Sequence, residues 1–136
     1  MAVRINHITF DSANAYEQSL FWAQVTGFSE DPDDPNGPDD EENLIISPDG
    51  LTRLLFINVP EGKSVKNRVH LDVAPTDGTR DDEVERLLAL GATVFADHRL
   101  PDGRGWVVMQ DPEGNEFCVE RSQAERDAAE LAAHPS

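Results

Sequence analysis

Residues 67–121 read NRVHLDVAPTDGTRDDEVERLLALGATVFADHRLPDGRGWVVMQDPEGNEFCVER, and the fold class is decided here. Arg68–Ala74 alternates apolar and polar side chains and reads as a strand. Pro75–Thr79 is a turn. Arg80–Leu90 places Val84, Leu87, Leu88 and Leu90 at helical spacing, and Gly91 ends the helix as a glycine in the left-handed region does. Ala92–Ala96 is extended, Asp97–Arg104 is a turn-rich loop, and Trp106–Gln110 and Glu116–Arg121 are strands joined by the turn Asp111–Asn115. The order is strand, helix, then three strands.

Moving towards the N-terminus, the same order recurs. Val3–Phe10 reads as a strand. Residues 13–26 follow as a helix with Ala13, Tyr16, Leu20, Phe21 and Val25 on its apolar side, closed by Gly27. Leu44–Ser47 and Leu51–Val59 form a hairpin about Pro48-Asp49-Gly50. Gly27 and Gly91 stand 64 residues apart, as do the turns that begin at Pro48 and Pro112, while His7 and His70 stand 63 apart. Order and register together predict an internal duplication. The expected fold is α+β, as two tandem βαβββ modules over residues 3–60 and 67–121 of one domain, residues 1–121. Their polar faces are expected to meet across one small-molecule pocket. Residues 122–136 form a short terminal helix and tail, with Ala124, Ala128 and Leu131 as a stripe facing the body or a partner.

The chain has 136 residues, a net charge of -16 and 27 acidic against 11 basic side chains. That balance argues against nucleic-acid and anionic-membrane partners, which need basic patches. Cys118 is the single cysteine, so no intramolecular disulfide is possible and a reducing compartment is expected. MAVRINHITF lacks a signal-peptide pattern, and a cytoplasmic location is the expectation. Ser29–Asn43 (SEDPDDPNGPDDEEN) is acidic and proline-rich, has little to bury, and reads as a mobile surface loop. It lacks the glycine and distant glutamate of a calcium loop.

Strand parity predicts the functional face. Phe117 and Val119 point one way, and Glu116, Cys118 and Glu120 the other. Val69, Leu71 and Val73 point to the helix, and His70 and Asp72 away from it. The face that carries His7, His70 and Glu120 is expected to include Leu54, Phe56, Trp106 and Val108 as well. Polar groups among aromatics and aliphatics suit a small-ligand cleft. Asp72 is placed to orient the His70 imidazole. Cys118 reads as a packing residue rather than a nucleophile, since no base or helix N-terminus flanks it. His98 and His134 read as solvated, with His98 alternatively at the cleft mouth.

NRVHLDV, EVERLLALGATV and WVVMQDPEGNEFCVE resemble the bacterial glyoxalase-like members of the vicinal oxygen chelate superfamily, and HITFDSA with Phe21-Trp22 agrees more loosely. The resemblance covers nearly all the chain short of its C-terminal helix. It implies a curved mixed sheet around a cleft, the glyoxalase/bleomycin resistance/dihydroxybiphenyl dioxygenase fold, with the acidic residues 29–43 as an insertion and association as a homodimer. In metal-using members the ligands lie on the first and last strands of each module. Carried over, those positions fall on His7, Phe56, His70 and Glu120. Phe56 stands where glyoxalase I has a glutamate, so four-ligand lactoylglutathione-lyase chemistry is not expected. His7, His70 and Glu120 remain as candidate ligands for Fe, Mn, Ni or Zn and resemble an extradiol-dioxygenase triad. The leading functional expectation is a small-molecule-binding protein whose ligand meets Phe56, His70, Trp106 and Cys118. The alternative is a metal-dependent lyase, isomerase or dioxygenase. Phe56 separates them, as an apolar wall in the first and a missing ligand in the second.

Overall fold

The first strand, β1, spans Ile8–Ser12 and the helix α1 spans Ala15–Thr26. They are followed by β2 (Glu42–Ile46) and β3 (Arg53–Asn58). In this computed structural model, which describes residues 1–134, the chain divides into two compact units, Met1–Ser64 and Val65–Ser136. The first unit has sheet order β1-β3-β2, with β1 parallel and β2 antiparallel to β3. Asn14 caps α1 by accepting from the Glu17 N–H, and Asn58 Oδ1 accepts from the Ala15 N–H at 2.7 Å. The end of β3 is thereby tied to the start of the helix. The core is aromatic: Phe10 stacks on Trp22 of α1 and on Phe56 of β3, with ring centroids 5.8 and 5.2 Å apart.

The second unit contains β4 (Asp72–Val73), α2 (Arg80–Leu90), β5 (Thr93–Asp97), β6 (Val107–Gln110), β7 (Glu116–Val119) and α3 (Gln123–Ala133). Its sheet order is β4-β7-β6-β5, with only the β4–β7 pair parallel. Arg80 is buried at the start of α2, and its guanidinium donates to the carbonyls of Gly103 and Gly105, each at 3.0 Å. One side chain therefore holds the loop that enters β6. Gly105 is required there: its φ is +95° and a Cβ would lie 2.0 Å from the His98 carbonyl oxygen. No described helix is long and apolar enough to cross a membrane.

The expected α+β order is present, with four differences of detail. The opening strand of each unit is shorter than its alternation suggested. β1 begins at Ile8, not Val3, because its partner β3 begins at Arg53 and offers no ladder to earlier residues. Val3 and Ile5 are accordingly exposed. β4 is reduced to Asp72–Val73, and Val69, expected against the helix, is exposed. The acidic stretch is built as turns pinned by side chains rather than left without local ties: Asn36 Oδ1 accepts from Leu44 N–H, and Asn36 Nδ2 donates to the Leu44 carbonyl. α3 begins with a capping box on Ser122 and Glu125, and none of its residues is buried.

The fourth difference concerns register. Ile46 pairs with Arg53 across the first hairpin, and Gln110 with Glu116 across the second. Thus 64 residues separate Ile46 from Gln110, but 63 separate Arg53 from Glu116. The first hairpin loop is one residue longer, so every position after it shifts. The first-unit counterpart of Glu120 is Ile57, not Phe56, and that of Cys118 is Leu55. The pairing of Phe10 with Phe56 places Phe56 on the α1 side of the sheet, fully buried. Phe56 is therefore equivalent to the buried Val119. Leu54 moves with it, since it pairs with Ile8. Parity alone misphased β3 because Leu54, Leu55, Phe56 and Ile57 are all apolar.

Phe56→Ala is expected to cost about 3–5 kcal/mol of stability in urea unfolding, as for a fully buried aromatic. Ile57→Ala, on the half-buried face, should cost less. A larger loss at Ile57 would reverse the assigned faces.

Candidate functional site

The second unit presents its functional side chains from three strands and the segment leading into β4. Cys118 is the direct cross-strand partner of Asp72, and its N–H donates to the Leu71 carbonyl at 2.9 Å. The Glu120 N–H donates to the Val73 carbonyl at 2.8 Å. His70, two residues before Asp72, and Glu120, two after Cys118, continue the same face. The entry to β4 is fixed by Glu116, a buried side chain that accepts from the Asn67 N–H at 2.9 Å.

These side chains border a cavity of ≈ 400 Å³, lined by Lys66, His70, Asp72, Trp106, Val108, Glu116, Cys118 and Glu120. The size lies within the usual range for small-molecule sites. Trp106 and Val108 supply its apolar wall. The Trp106 ring lies 5.1 Å from that of His98. The two residues are also joined through the main chain, the His98 backbone N–H donating to the Trp106 carbonyl. His134 lies away from this group and pairs with Glu130 at 3.2 Å.

His70 Nδ1 lies 3.0 Å from Asp72 Oδ1 and 3.9 Å from Cys118 Sγ. The carboxylate can only accept, so Nδ1 is the donor and Nε2 is left for another ligand. This is the orienting contact expected for Asp72. Burial, with the Asp72 carboxylate as the next cause, pushes the Cys118 thiol up to about 11. The thiol is protonated at neutral pH and is not a nucleophile there. Glu120 receives Arg126 from α3 at 2.7 Å.

The sequence-derived candidates are distributed as follows. His70, Trp106, Cys118 and Glu120 border one cavity of the second unit. His7 belongs to the first unit, in the segment before β1. It is exposed, its Nδ1 is 3.5 Å from Thr9 Oγ1, and it borders a separate cavity with Arg4 and Arg53. Phe56 is interior to the first unit. Sequence reasoning missed Lys66, for which no motif gives a signal, and Arg126. The latter had a signal: the Ser122 N-cap places residue 126 one helical turn in, above the end of β7.

A family model for the glyoxalase-like domain matches residues 7–120. The chain belongs to the glyoxalase-like family of the vicinal oxygen chelate superfamily. Solved structures agree in fold. The fosfomycin resistance protein FosX from Mesorhizobium loti superposes with a TM-score of 0.65 at 18% identity, over 94% of this chain and 99% of that one. A glyoxalase/bleomycin resistance protein/dioxygenase family enzyme from Burkholderia phytofirmans gives 0.64 at 21% identity, over 86% and 97%. Lactoylglutathione lyase from Agrobacterium tumefaciens gives 0.58 at 18%, over 92% and 97%. No curated protein matches the chain at a significant level.

The glyoxalase-like resemblance implies a divalent ion held by the end strands. Its four-donor form does not fit these residues, because Ile57 occupies the first-unit counterpart of Glu120 and has no donor atom. Of the remaining three, Glu120 already carries an arginine. Among the described residues, the group of three or more metal-binding side chains whose ligand atoms converge is a different one: His70, Asp72 and Cys118, all within 4.8 Å of one another.

Cys118 alkylation by iodoacetamide in chelator-treated protein should rise with a midpoint near pH 11, against an ordinary thiol near 9.0. Asp72→Asn removes the second cause and should lower the midpoint. An unshifted wild-type midpoint would show that the thiol is not held in this environment.

Proposed function

We propose that this glyoxalase-like protein binds, and thereby sequesters, a small organic molecule with a planar ring and a positive charge in the cavity of the second unit. The observation that carries the reading is Trp106. The residue is 46% exposed while it lines the cavity, whereas the other tryptophan, Trp22, is 1% exposed in the core. A large aromatic held open on a sheet is a stacking platform, and an indole face attracts cations. Asp72 and Glu120 border the same space, and the net charge of -16 steers cations towards the protein. Lys66 is the opposing cation at the rim and limits how much charge the ligand gains.

Fosfomycin resistance and bleomycin resistance appear in the names of two of the structural relatives, and a cavity for a small organic molecule is compatible with such a role. A metal-dependent lyase, isomerase or dioxygenase is the second reading. It is favoured by the Nε2 of His70, left over when Nδ1 faces Asp72, and by Glu120 on the same cavity. Self-association belongs to the first reading: α3 leaves Leu131 exposed beside Ala124 and Ala128, and a homodimer of twice 15.0 kDa is the expected mass in light scattering.

The test uses benzyltrimethylammonium, benzyl alcohol and benzoate on chelator-treated protein, followed by tryptophan fluorescence and calorimetry. Affinity should fall in that order. Trp106→Leu should weaken the cation at least tenfold, about 1.4 kcal/mol. Equal binding of benzoate, or no effect of Trp106→Leu, would sink the proposal.

A further inference from the structure

We propose that His70, Asp72 and Cys118 form a thiolate-containing site for a borderline divalent metal such as Zn²⁺, on the strand pair β4–β7 and distinct from the His7, His70 and Glu120 set. It shares a cavity with the function proposed above but requires no organic ligand. Either can therefore fail alone.

Donor spacing is the first ground. Nδ1–Oδ1 is 3.0 Å, Sγ–Nδ1 is 3.9 Å, and the three ligand atoms lie within 4.8 Å. A tetrahedral ion with bonds near 2.1 Å to N or O and 2.3 Å to S needs neighbouring donors roughly 3.4–3.6 Å apart. The separations bracket that value, so side-chain rotation alone can close the site. The backbone is the second ground. His70 and Asp72 are two apart on one chain segment, and Cys118 is paired directly with Asp72. The ladder bonds from Cys118 N–H to Leu71 and from Glu120 N–H to Val73 hold the donors on one face before any metal arrives.

The donor chemistry is the third ground. One thiolate, one imidazole and one carboxylate form a mixed set that suits Zn²⁺ better than Mg²⁺ or Ca²⁺, which take oxygen alone. Three protein donors leave the fourth position facing the ≈ 400 Å³ cavity, open to water or a ligand. On binding, the metal replaces the Nδ1 proton, which moves to Nε2 by tautomerisation, and the Sγ proton is released to solvent. One proton per metal is therefore liberated.

The test is a Co²⁺ titration of the untagged, chelator-stripped full chain. Cys118 is its only cysteine, so any near-ultraviolet thiolate-to-cobalt charge-transfer band reports that residue. Wild type should show the band saturating at one equivalent. Cys118→Ser should abolish it. Asp72→Asn should weaken Co²⁺ at least tenfold. His7→Ala and Glu120→Gln should leave band and affinity within about threefold of wild type. Zinc EXAFS on the wild type needs no variant, and should show one sulfur scatterer near 2.3 Å. Cobalt bound without the band, a zinc shell of N and O alone, loss of the band in Glu120→Gln, or unchanged affinity in Asp72→Asn would each overturn the assignment.

Discussion

Two main-chain hydrogen bonds decide what the second unit can do. Leu71 accepts from Cys118, and Val73 accepts from Glu120, which locks a two-residue parallel strand onto β7. Because a strand alternates its side chains, that lock places Asp72 and Cys118 side by side and extends the same face to His70 and Glu120. A one-residue slip of β4 on β7 would put Leu71 and Val73 on this face in place of His70 and Asp72, while β6 keeps β7 in phase, and the cluster would be lost. The short strand is supported from outside the ladder, by Glu116 holding the Asn67 N–H. The buried carboxylate that opens β7 therefore also sets where β4 begins.

Around this face the structure assigns each polar group a partner of a different kind. Glu120 is drawn to Arg126 of the terminal helix, and Asp72 to His70. Both pairs are partly exposed, so each contributes little to stability, and their consequence is positional. Asp72 turns Nδ1 inward, and its charge adds to burial in keeping the Cys118 proton in place. A thiol held neutral beside a carboxylate is inert as a nucleophile but remains a donor for an ion that can displace the proton. Binding of a planar cation on Trp106 and binding of a metal at Cys118 thus use neighbouring parts of one cavity for different physical reasons.

Much of the architecture was legible because it rests on local chemistry. Arg80–Leu90 and its closing Gly91 followed from helical spacing and a left-handed cap, and the structure has those bounds. The face shared by His70, Asp72, Cys118 and Glu120 followed from alternation, since β7 carries polar residues at every second position. In the first unit alternation had nothing to read: Leu54 to Ile57 is apolar throughout. Its phase is set by pairing with β1 and by Trp22 stacking above Phe10, both non-local. The extra residue in the first hairpin was equally hidden, because the 64-residue spacing of the turns is real and changes to 63 only on the far side of the loop. For that reason Ile57, rather than Phe56, is the repeat counterpart of Glu120. The missing fourth donor survives the change, but its physical meaning differs: Phe56 is core, and the apolar substitute is Ile57. The Ser122 cap places Arg126 one turn into α3, but its pairing with Glu120 also needs the angle at which α3 leaves β7, which no local pattern carries.

The placement of the His70 imidazole against Cys118 is the claim on which the site depends, and proton NMR reads it directly. Cross-relaxation from the His70 ring protons should reach the Cys118 β-protons and the Val108 methyls, and should be absent to the methyls of Val119. Contacts from His70 to Val119 or Phe117 in place of Cys118 would put the imidazole on the helix side of the sheet and contradict the account.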